Sequence, residues 1–246
     1  IQFAVKDDEL YVIEVNPRAS RTVPFVSKSI GVPLAKLAAK IMVGHKLVDL
    51  GFTEETLPPC FCVKEAVFPW GRFPGIDIVL GPEMKSTGEV MGADADLGMA
   101  YAKAQISAFN PLPKSGNVFL SVNDRDKPRA LGVARDLAEL GFKIHSTGGT
   151  YKFLEENSIP VERLYKLSEG RRPTVMDMMK NGELHFIINT PSGHEARIDE
   201  VKIRSGAVQY KVSHCTNLAA AEASVKAIRS LQENELTVTA LQEYHG

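Results

Sequence analysis

Apolar residues fall into two rhythms along this chain. From Asn117 onward, short apolar runs alternate with amphipathic stretches. Strands are predicted at 118–122, 142–146, 161–167 and 185–189, with a short one at 211–213. Helices are predicted at 128–140, from 150 to 156, and at 175–180, 200–210 and 218–231. Strand and helix alternating at this spacing predict an α/β fold with a doubly wound parallel sheet. Upstream the texture is less regular. Residues 1–16 read as a β-hairpin turning among Asp7, Asp8 and Glu9, and 22–44 read as helical, interrupted at Gly31-Val32-Pro33. Residues 51–92 are rich in proline and glycine, with strands near 61–67 and 88–92, and 97–106 reads as a helix. Asn110-Pro-Leu-Pro-Lys-Ser-Gly116 has linker composition. No internal repeat or low-complexity tract is present.

The hairpin register follows from parity. Phe3, Val5, Tyr11, Ile13 and Val15 are all odd. A three-residue loop puts odd opposite odd, gathers these five on one face and sets Gln2 opposite Glu14. A two-residue loop scatters them.

Charge and cysteine content narrow the function class. The net charge of -1 gives no basic surface for nucleic acid or acidic lipid, and no apolar run reaches the length of a membrane span. Cys60, Cys62 and Cys215 form neither a disulfide framework nor a zinc set, and the histidines show no metal spacing. Trp70, alone among apolar loop residues, reads as packing. The chain opens at Ile1 directly into a strand, so it is expected to be a fragment of a longer protein.

Two clusters carry candidate chemistry. Glu14 and Asn16 stand two apart on a strand and share a face, which Gln2 joins in the preferred register. One carboxylate and two amide oxygens suit a hard ion such as Mg²⁺. Arg18, on the same face if the strand continues, can hold an oxyanion in bidentate fashion. The alternative is a polar strand face that simply meets water. In the second half, Thr147-Gly-Gly-Thr150 lies between a strand and a helix, where first-turn N–H groups attract anions. Ser121, Lys166 and Asn189 fall at or just after strand ends, and Lys127 starts a helix; ligands of open α/β sheets bind there. The alternative is a plain capping turn beside solvated lysines.

Glu-x-Asn-x-Arg on a late strand resembles the metal-binding strand of ATP-grasp enzymes. The longer run from Ile13 to Lys28, and Gly81-Pro-Glu-Met-Lys-Ser-Thr-Gly-Glu-Val-Met-Gly92, resemble the carbamoyl-phosphate synthase large-chain family, and the similarity extends over the whole chain. The resemblance implies an ATP-dependent ligase that makes carbamoyl phosphate for arginine and pyrimidine biosynthesis. It implies that Gln2, Glu14 and Asn16 hold Mg²⁺ or Mn²⁺, that Gln2 and Glu14 border ATP, and that Arg18 and Arg21 face the acyl-phosphate chemistry. Residues 1–110 would be the C-terminal part of the synthetic domain, with ATP-grasp proper ending near 43. Residues 111–246 would be a methylglyoxal-synthase-like allosteric domain, folding alone from about Gly116.

In that domain Ser121, Lys127, Thr147, Thr150, Lys166 and Asn189 match the family's UMP or IMP site. Pro191 replaces a threonine. Glu65 and Thr216 match positions near the activator ornithine, where His214 replaces a tyrosine. Expected partners are a glutaminase small chain, a nucleotide effector, ornithine and further copies in an oligomer, in the cytoplasm, with an organelle left open. The fragment alone is expected to be inactive. Two other readings stay open: a stand-alone methylglyoxal-synthase-like enzyme, although 189–194 carries no carboxylate, and a free nucleotide-sensing module, against which the Glu-x-Asn-x-Arg strand argues.

Overall fold

In a computed structural model, residues 1–72, 85–190 and 194–245 are described. Pro191 and the first part of the 81–92 run lie outside them. The chain divides into two compact units, Ile1–Cys60 with Val238–Gly246, and Phe61–Thr237.

The first unit holds β1 (Gln2–Lys6), β2 (Glu9–Glu14), α1 (Thr22–Ile30) and α2 (Leu34–Met42). The hairpin corrects the parity argument. Its loop has two residues, Asp7 and Asp8, at φ +53° and +60°. Aspartate tolerates this left-handed region, and two such residues make the turn that matches strand twist. Phe3 therefore faces Val12 and Val5 faces Leu10. An irregularity beyond Phe3 then shifts the pairing and brings Gln2 opposite Glu14. That pairing agrees with expectation, but a bulge produces it. Every residue of both strands is exposed. Burial therefore exerts no selection between faces in this hairpin, and parity had nothing to enforce it.

The second unit opens with β3 (Phe61–Val67) and β4 (Gly88–Asp94), paired antiparallel, followed by α3 (Leu97–Ser107). Asp96 caps α3 by accepting the Met99 N–H at 2.7 Å, and the same oxygen accepts the Ser230 hydroxyl at 2.6 Å. The parallel sheet follows: β5 (Asn117–Val122), α4 (Lys127–Glu139), β6 (Lys143–Thr147), α5 (Gly148–Glu156), β7 (Val161–Leu164), α6 (Val175–Lys180), β8 (Phe186–Thr190), α7 (His194–Gln209), β9 (Ser213–Cys215) and α8 (Leu218–Glu233). The strand order is β7-β6-β5-β8-β9, all parallel. The predicted doubly wound α/β architecture is present.

Alternation along the strands separates two cores. Val118, Leu120, Phe186 and Ile188 pack with α4, α5 and α8, while Phe119 and Ile187 pack with α6 and α7. The first core reaches upstream of the sheet, because Met99, Ala102 and Leu112 belong to it. The carbonyl of Pro111 accepts the Ser213 hydroxyl at 2.6 Å. Residues 110–116 thus lie within the second unit, not between the units.

His145 sits in β6 at 6% exposure, with a buried Nε2 that has no partner among the described residues. Burial pushes its pKa below the ordinary value; the nearby Glu162 and Glu183 raise it and Lys143 lowers it. The unfolded chain therefore takes up a proton at a higher pH than the folded one. Stability should be full above about pH 6.5 and fall as pH drops from there towards the depressed folded value. His145→Gln should flatten that acid limb in urea melts at stepped pH. An unchanged slope would show that the limb belongs to other groups.

Candidate functional site

In the first unit the Gln2–Glu14 register places an amide beside a carboxylate, and Asn16 lies two residues on. Asn16 donates from Nδ2 to Glu14 Oε1 at 2.8 Å. Beyond the strand the chain turns sharply, as the Arg18 N–H donates to the Asn16 carbonyl at 2.8 Å and the Arg18 guanidinium to the Ala19 carbonyl at 3.2 Å. Arg21 occupies the N-cap of α1. All five side chains are exposed. No group of three His, Cys, Asp or Glu side chains among the described residues could hold a metal. Gln2, Glu14 and Asn16 supply one carboxylate and two amides, a set that fits a hard ion whose remaining ligands are phosphates and water.

In the second unit the candidate site lies where topology predicts it. The strand order reverses direction between β5 and β8, and in open α/β sheets ligands bind beyond the carboxyl ends of the strands at such a point. Ser121 and Asn189 are partners in register there. The Ser121 and Thr147 hydroxyls lie 3.2 Å apart, which adds the end of β6. Asn189 is 6% exposed, and its side chain has no hydrogen bond to a described residue. Thr147 is the N-cap of α5, yet its side chain caps nothing. The first N–H groups of α5 lack partners inside the helix.

Two lysines converge on the glycines of this turn. A Cβ on Gly148 would lie 3.3 Å from Lys166 Cε, and one on Gly149 would lie 3.2 Å from Lys127 Nζ. Gly148 also has φ +43°, a conformation side chains disfavour. Small residues thus let two ammonium groups reach the backbone. Lys127 is held by Asp124 at 2.6 Å, and that hydrogen bond and charge pull the Asp124 carboxyl below its ordinary pKa. Thr150 takes a different part from that expected of an open donor. Its hydroxyl accepts the Val122 N–H and donates to the Val122 carbonyl, both at 3.1 Å, so it ties α5 to the end of β5. Sequence reasoning missed Asn123, which donates to the Thr190 carbonyl at 2.8 Å and to Asp126 at 2.7 Å. Those bonds fix the loop that delivers Lys127. The Asn-x-x-Asp spacing before a helix is the signal for it.

A cavity of about 480 Å³ lies elsewhere in this unit, lined by Glu65, Tyr101, Gln105, His214, Cys215 and Thr216 among others. Gln105 donates to Glu65 at 3.1 Å and accepts from Asn110 at 2.6 Å. Burial raises the Glu65 pKa, with the Gln105 bond opposing it. Burial also pushes the Tyr101 hydroxyl up to about 12 and the Cys215 thiol up to about 11. Glu65 and Thr216, separated by most of the chain, are brought to one cavity. Tyr101, Gln105 and Asn110 were not singled out by sequence.

Comparison with known proteins adds the family. Residues 129–216 match the MGS-like domain, and residues 1–50 match the carbamoyl-phosphate synthase L chain, ATP binding domain. All of the chain aligns at 53% identity with the carbamoyl phosphate synthase large chain of Synechocystis sp., covering 23% of that protein. The chain is a homologue of carbamoyl phosphate synthase large chains. A relative from Aquifex aeolicus, the carbamoyl phosphate synthase large chain, C-terminal section, is 50% identical over all of this chain and 50% of its own length. That from Archaeoglobus fulgidus is 53% identical, with 23% of its length covered. This synthase homologue thus spans from 23% to 50% of the length of these relatives. A crystal structure of methylglyoxal synthase from Elizabethkingia anophelis NUHP1 aligns with 46% of this chain and 79% of its own, at 20% identity and a TM-score of 0.39. No helix among the described residues is long and apolar enough to cross a membrane.

Proposed function

We propose that this chain is the part of a carbamoyl-phosphate synthase that contributes ligands to the carbamate-phosphorylating site and carries the allosteric domain. The observation that carries this reading is identity of about one residue in two over the whole chain to large chains of that name. The parent enzyme would use ATP to join bicarbonate and ammonia released from glutamine, for arginine and pyrimidine biosynthesis. Its partners would be the glutaminase small chain and further copies. Residues 1–110 belong to the synthetic domain and 111–246 to the allosteric one; the fragment alone is inactive.

At the first site Gln2, Glu14 and Asn16 hold Mg²⁺ or Mn²⁺, with Gln2 and Glu14 bordering ATP. The ion would neutralise charge on the phosphates. Arg18 and Arg21 orient the acyl-phosphate oxygens through paired N–H donors. At the second site a nucleoside monophosphate, UMP or IMP, seats its phosphate on the first turn of α5. Lys127 and Lys166 supply positive charge, and Ser121, Thr147 and Asn189 supply polar contacts. Thr150 supports the turn through Val122. The Glu65–Thr216 cavity takes ornithine, whose ammonium offsets the desolvated Glu65 carboxylate.

A thermal melt of the chain tests the nucleotide site. UMP at about 100 times its Kd should add roughly 2.7 kcal/mol, a shift of several degrees. Uridine should shift the melt far less, and Lys166→Ala should weaken UMP more than Thr150→Ala does. Equal shifts by uridine and UMP would defeat the phosphate assignment.

A further inference from the structure

Two local features of the second unit bring Gln105 to Glu65. Gly92 of β4 pairs with Val63 of β3, so Gly92, Val63 and Glu65 share a face of that strand pair. A Cβ on Gly92 would lie 2.5 Å from the Ala104 nitrogen. The bare glycine thus lets the C-terminal half of α3 down onto this face. Gln105 follows Ala104, and its Nε2 donates to Glu65 Oε2 at 3.1 Å. The end of α3 then folds the chain back over Gln105. Phe109 takes φ +63°. Its N–H donates to the Ile106 carbonyl at 3.1 Å, and the Asn110 N–H donates to the Gln105 carbonyl at 2.9 Å. This is the paired arrangement that closes a helix on a left-handed residue. It sets Asn110 beside the Gln105 amide, whose oxygen accepts from Asn110 Nδ2 at 2.6 Å. Gln105 is 4% exposed there.

The direction of these bonds is forced. An ionised carboxylate only accepts, so Gln105 turns its NH2 to Glu65 and its oxygen to Asn110, which must then donate. Both amides are locked in one sense, and the series ends on the carboxylate. The cavity gives that carboxylate nothing else. Among the described residues that line it, Glu65 alone carries charge at neutral pH. Tyr101 from α3 and Cys215 from β9 are held protonated. Burial pushes the His214 imidazole below its ordinary pKa, with the Val212 backbone opposing and Arg204 adding to the fall, so it is neutral at pH 7. α8 lines the cavity with Asn217 and alanines. Lys103 of α3 pairs with Asp94 at 2.6 Å, and Lys64 pairs with Glu89 at 3.0 Å on the other face of the strand pair. Glu65 has no ion pair among the described residues. A half-buried carboxylate with a neutral partner alone is costly, and an ammonium group offsets that cost.

We propose that Gln105, locked by Asn110, is a positioning residue that holds the Glu65 carboxylate as the cavity's anion, and so makes the cavity select a ligand with an ammonium group over the same ligand without one. This rests on the reading above that the cavity takes ornithine. Gln105 acts through Glu65. Burial raises the Glu65 pKa, and the Gln105 bond is the side-chain contact that opposes it. Without that N–H the carboxyl takes up a proton at higher pH, and the neutral acid no longer attracts an ammonium.

The test uses the full-length synthase with its small chain. Calorimetry gives the affinity for ornithine, and for norvaline, which is ornithine without its side-chain amine, from about pH 5 to 8. Three forms are compared: wild type, Gln105→Met and Asn110→Asp. Methionine keeps the length and removes the donor. Aspartate keeps the shape of Asn110 but only accepts, so it draws the Gln105 NH2 and turns the Gln105 oxygen on Glu65. Wild type should prefer ornithine and lose it as pH falls and Glu65 protonates. Gln105→Met should weaken ornithine about tenfold or more at pH 7, leave norvaline nearly unchanged, and move the acid limb to higher pH. Asn110→Asp should weaken ornithine too, although an added negative charge would by itself tighten a cation. Ornithine affinity and acid limb both unchanged in Gln105→Met, an equal fall for norvaline, or tighter ornithine in Asn110→Asp would overturn the positioning role and leave the ornithine reading standing. Equal wild-type affinity for ornithine and norvaline would bring down that reading and this inference with it. The two substitutions reach Glu65 from different residues, so loss of a cooperative melt in one leaves the other to decide.

Discussion

Replacing Glu14 with alanine in the full-length synthase should abolish carbamate phosphorylation while glutamine hydrolysis stays measurable. Glu14 is the single carboxylate of the trio, opposite Gln2 and bonded to Asn16. Without it two neutral amides remain, and neither offsets the charge of an ion or of the phosphates it bridges. Loss of one pre-set group at a site of developing charge commonly costs about a hundredfold or more. Glu14→Gln keeps the shape and removes the charge, so it should lose nearly as much. Carbamoyl-phosphate formation within about threefold of wild type in either variant would remove Glu14 from the site. A parallel fall in glutamine hydrolysis would mean that the substitution had disturbed folding or assembly.

A chain that begins at Gly116 should melt far below one that spans residues 61–237. The sheet core does not close on itself. Met99 and Leu112 are 4% and 7% exposed within the cluster that α8 fills, and α3 packs against both β4 and α8. Each such side chain contributes about 1.5–3 kcal/mol when buried. Their loss, with that of the Asp96–Ser230 bond, approaches the roughly 5–15 kcal/mol that holds a domain together. Scanning calorimetry of the two fragments decides it, and equal midpoints would show that the β3–β4–α3 layer is dispensable. The close fit has a single-residue counterpart. A Cβ on Gly92 would run into the Ala100 carbonyl oxygen and lie 2.5 Å from the Ala104 nitrogen. Backbone cannot move as a side-chain tip can. Gly92→Ala should therefore cost at least about 1–3 kcal/mol, as overpacking does.

How far the sequence was legible follows from how far local pattern dictated each element. The strands at Val118 and Phe186 were legible because a doubly covered sheet demands apolar runs. The strand ends were legible because the polar residues Ser121, Thr147 and Asn189 fall there. The hairpin register was not. Its residues are exposed on both faces, and the two positive φ angles at Asp7 and Asp8 override parity. The part taken by Thr150 was hidden as well. A threonine after two glycines reads as an open donor, and only the fold brings Val122 against it. Tyr101 and Gln105 lie on a helix whose apolar and small residues spell core, with no local sign that one edge lines a cavity. The linker composition of 110–116 misleads for a similar reason, because prolines permit a turn without saying whether the turned segment is covered.

The place of β5 between β6 and β8 has a consequence for the order in which this protein takes shape. β5 and β6 can meet as soon as α4 has been made, since they are consecutive in the chain. The other flank of β5 waits for β8, and the contact at its base, from Asn117 to His185, closes a loop of 68 residues. Such distant pairings form late, because the chain between them must be ordered before they gain anything. On a ribosome the half-sheet β7-β6-β5 therefore emerges with one open flank, rich in Val118, Phe119 and Leu120, until residues 186–190 are released. Ser121 and Asn189 become register partners only with that pairing. A nascent chain caught earlier has β5 uncovered on that flank, and that edge is where a stalled or slowly made chain would associate with its neighbours.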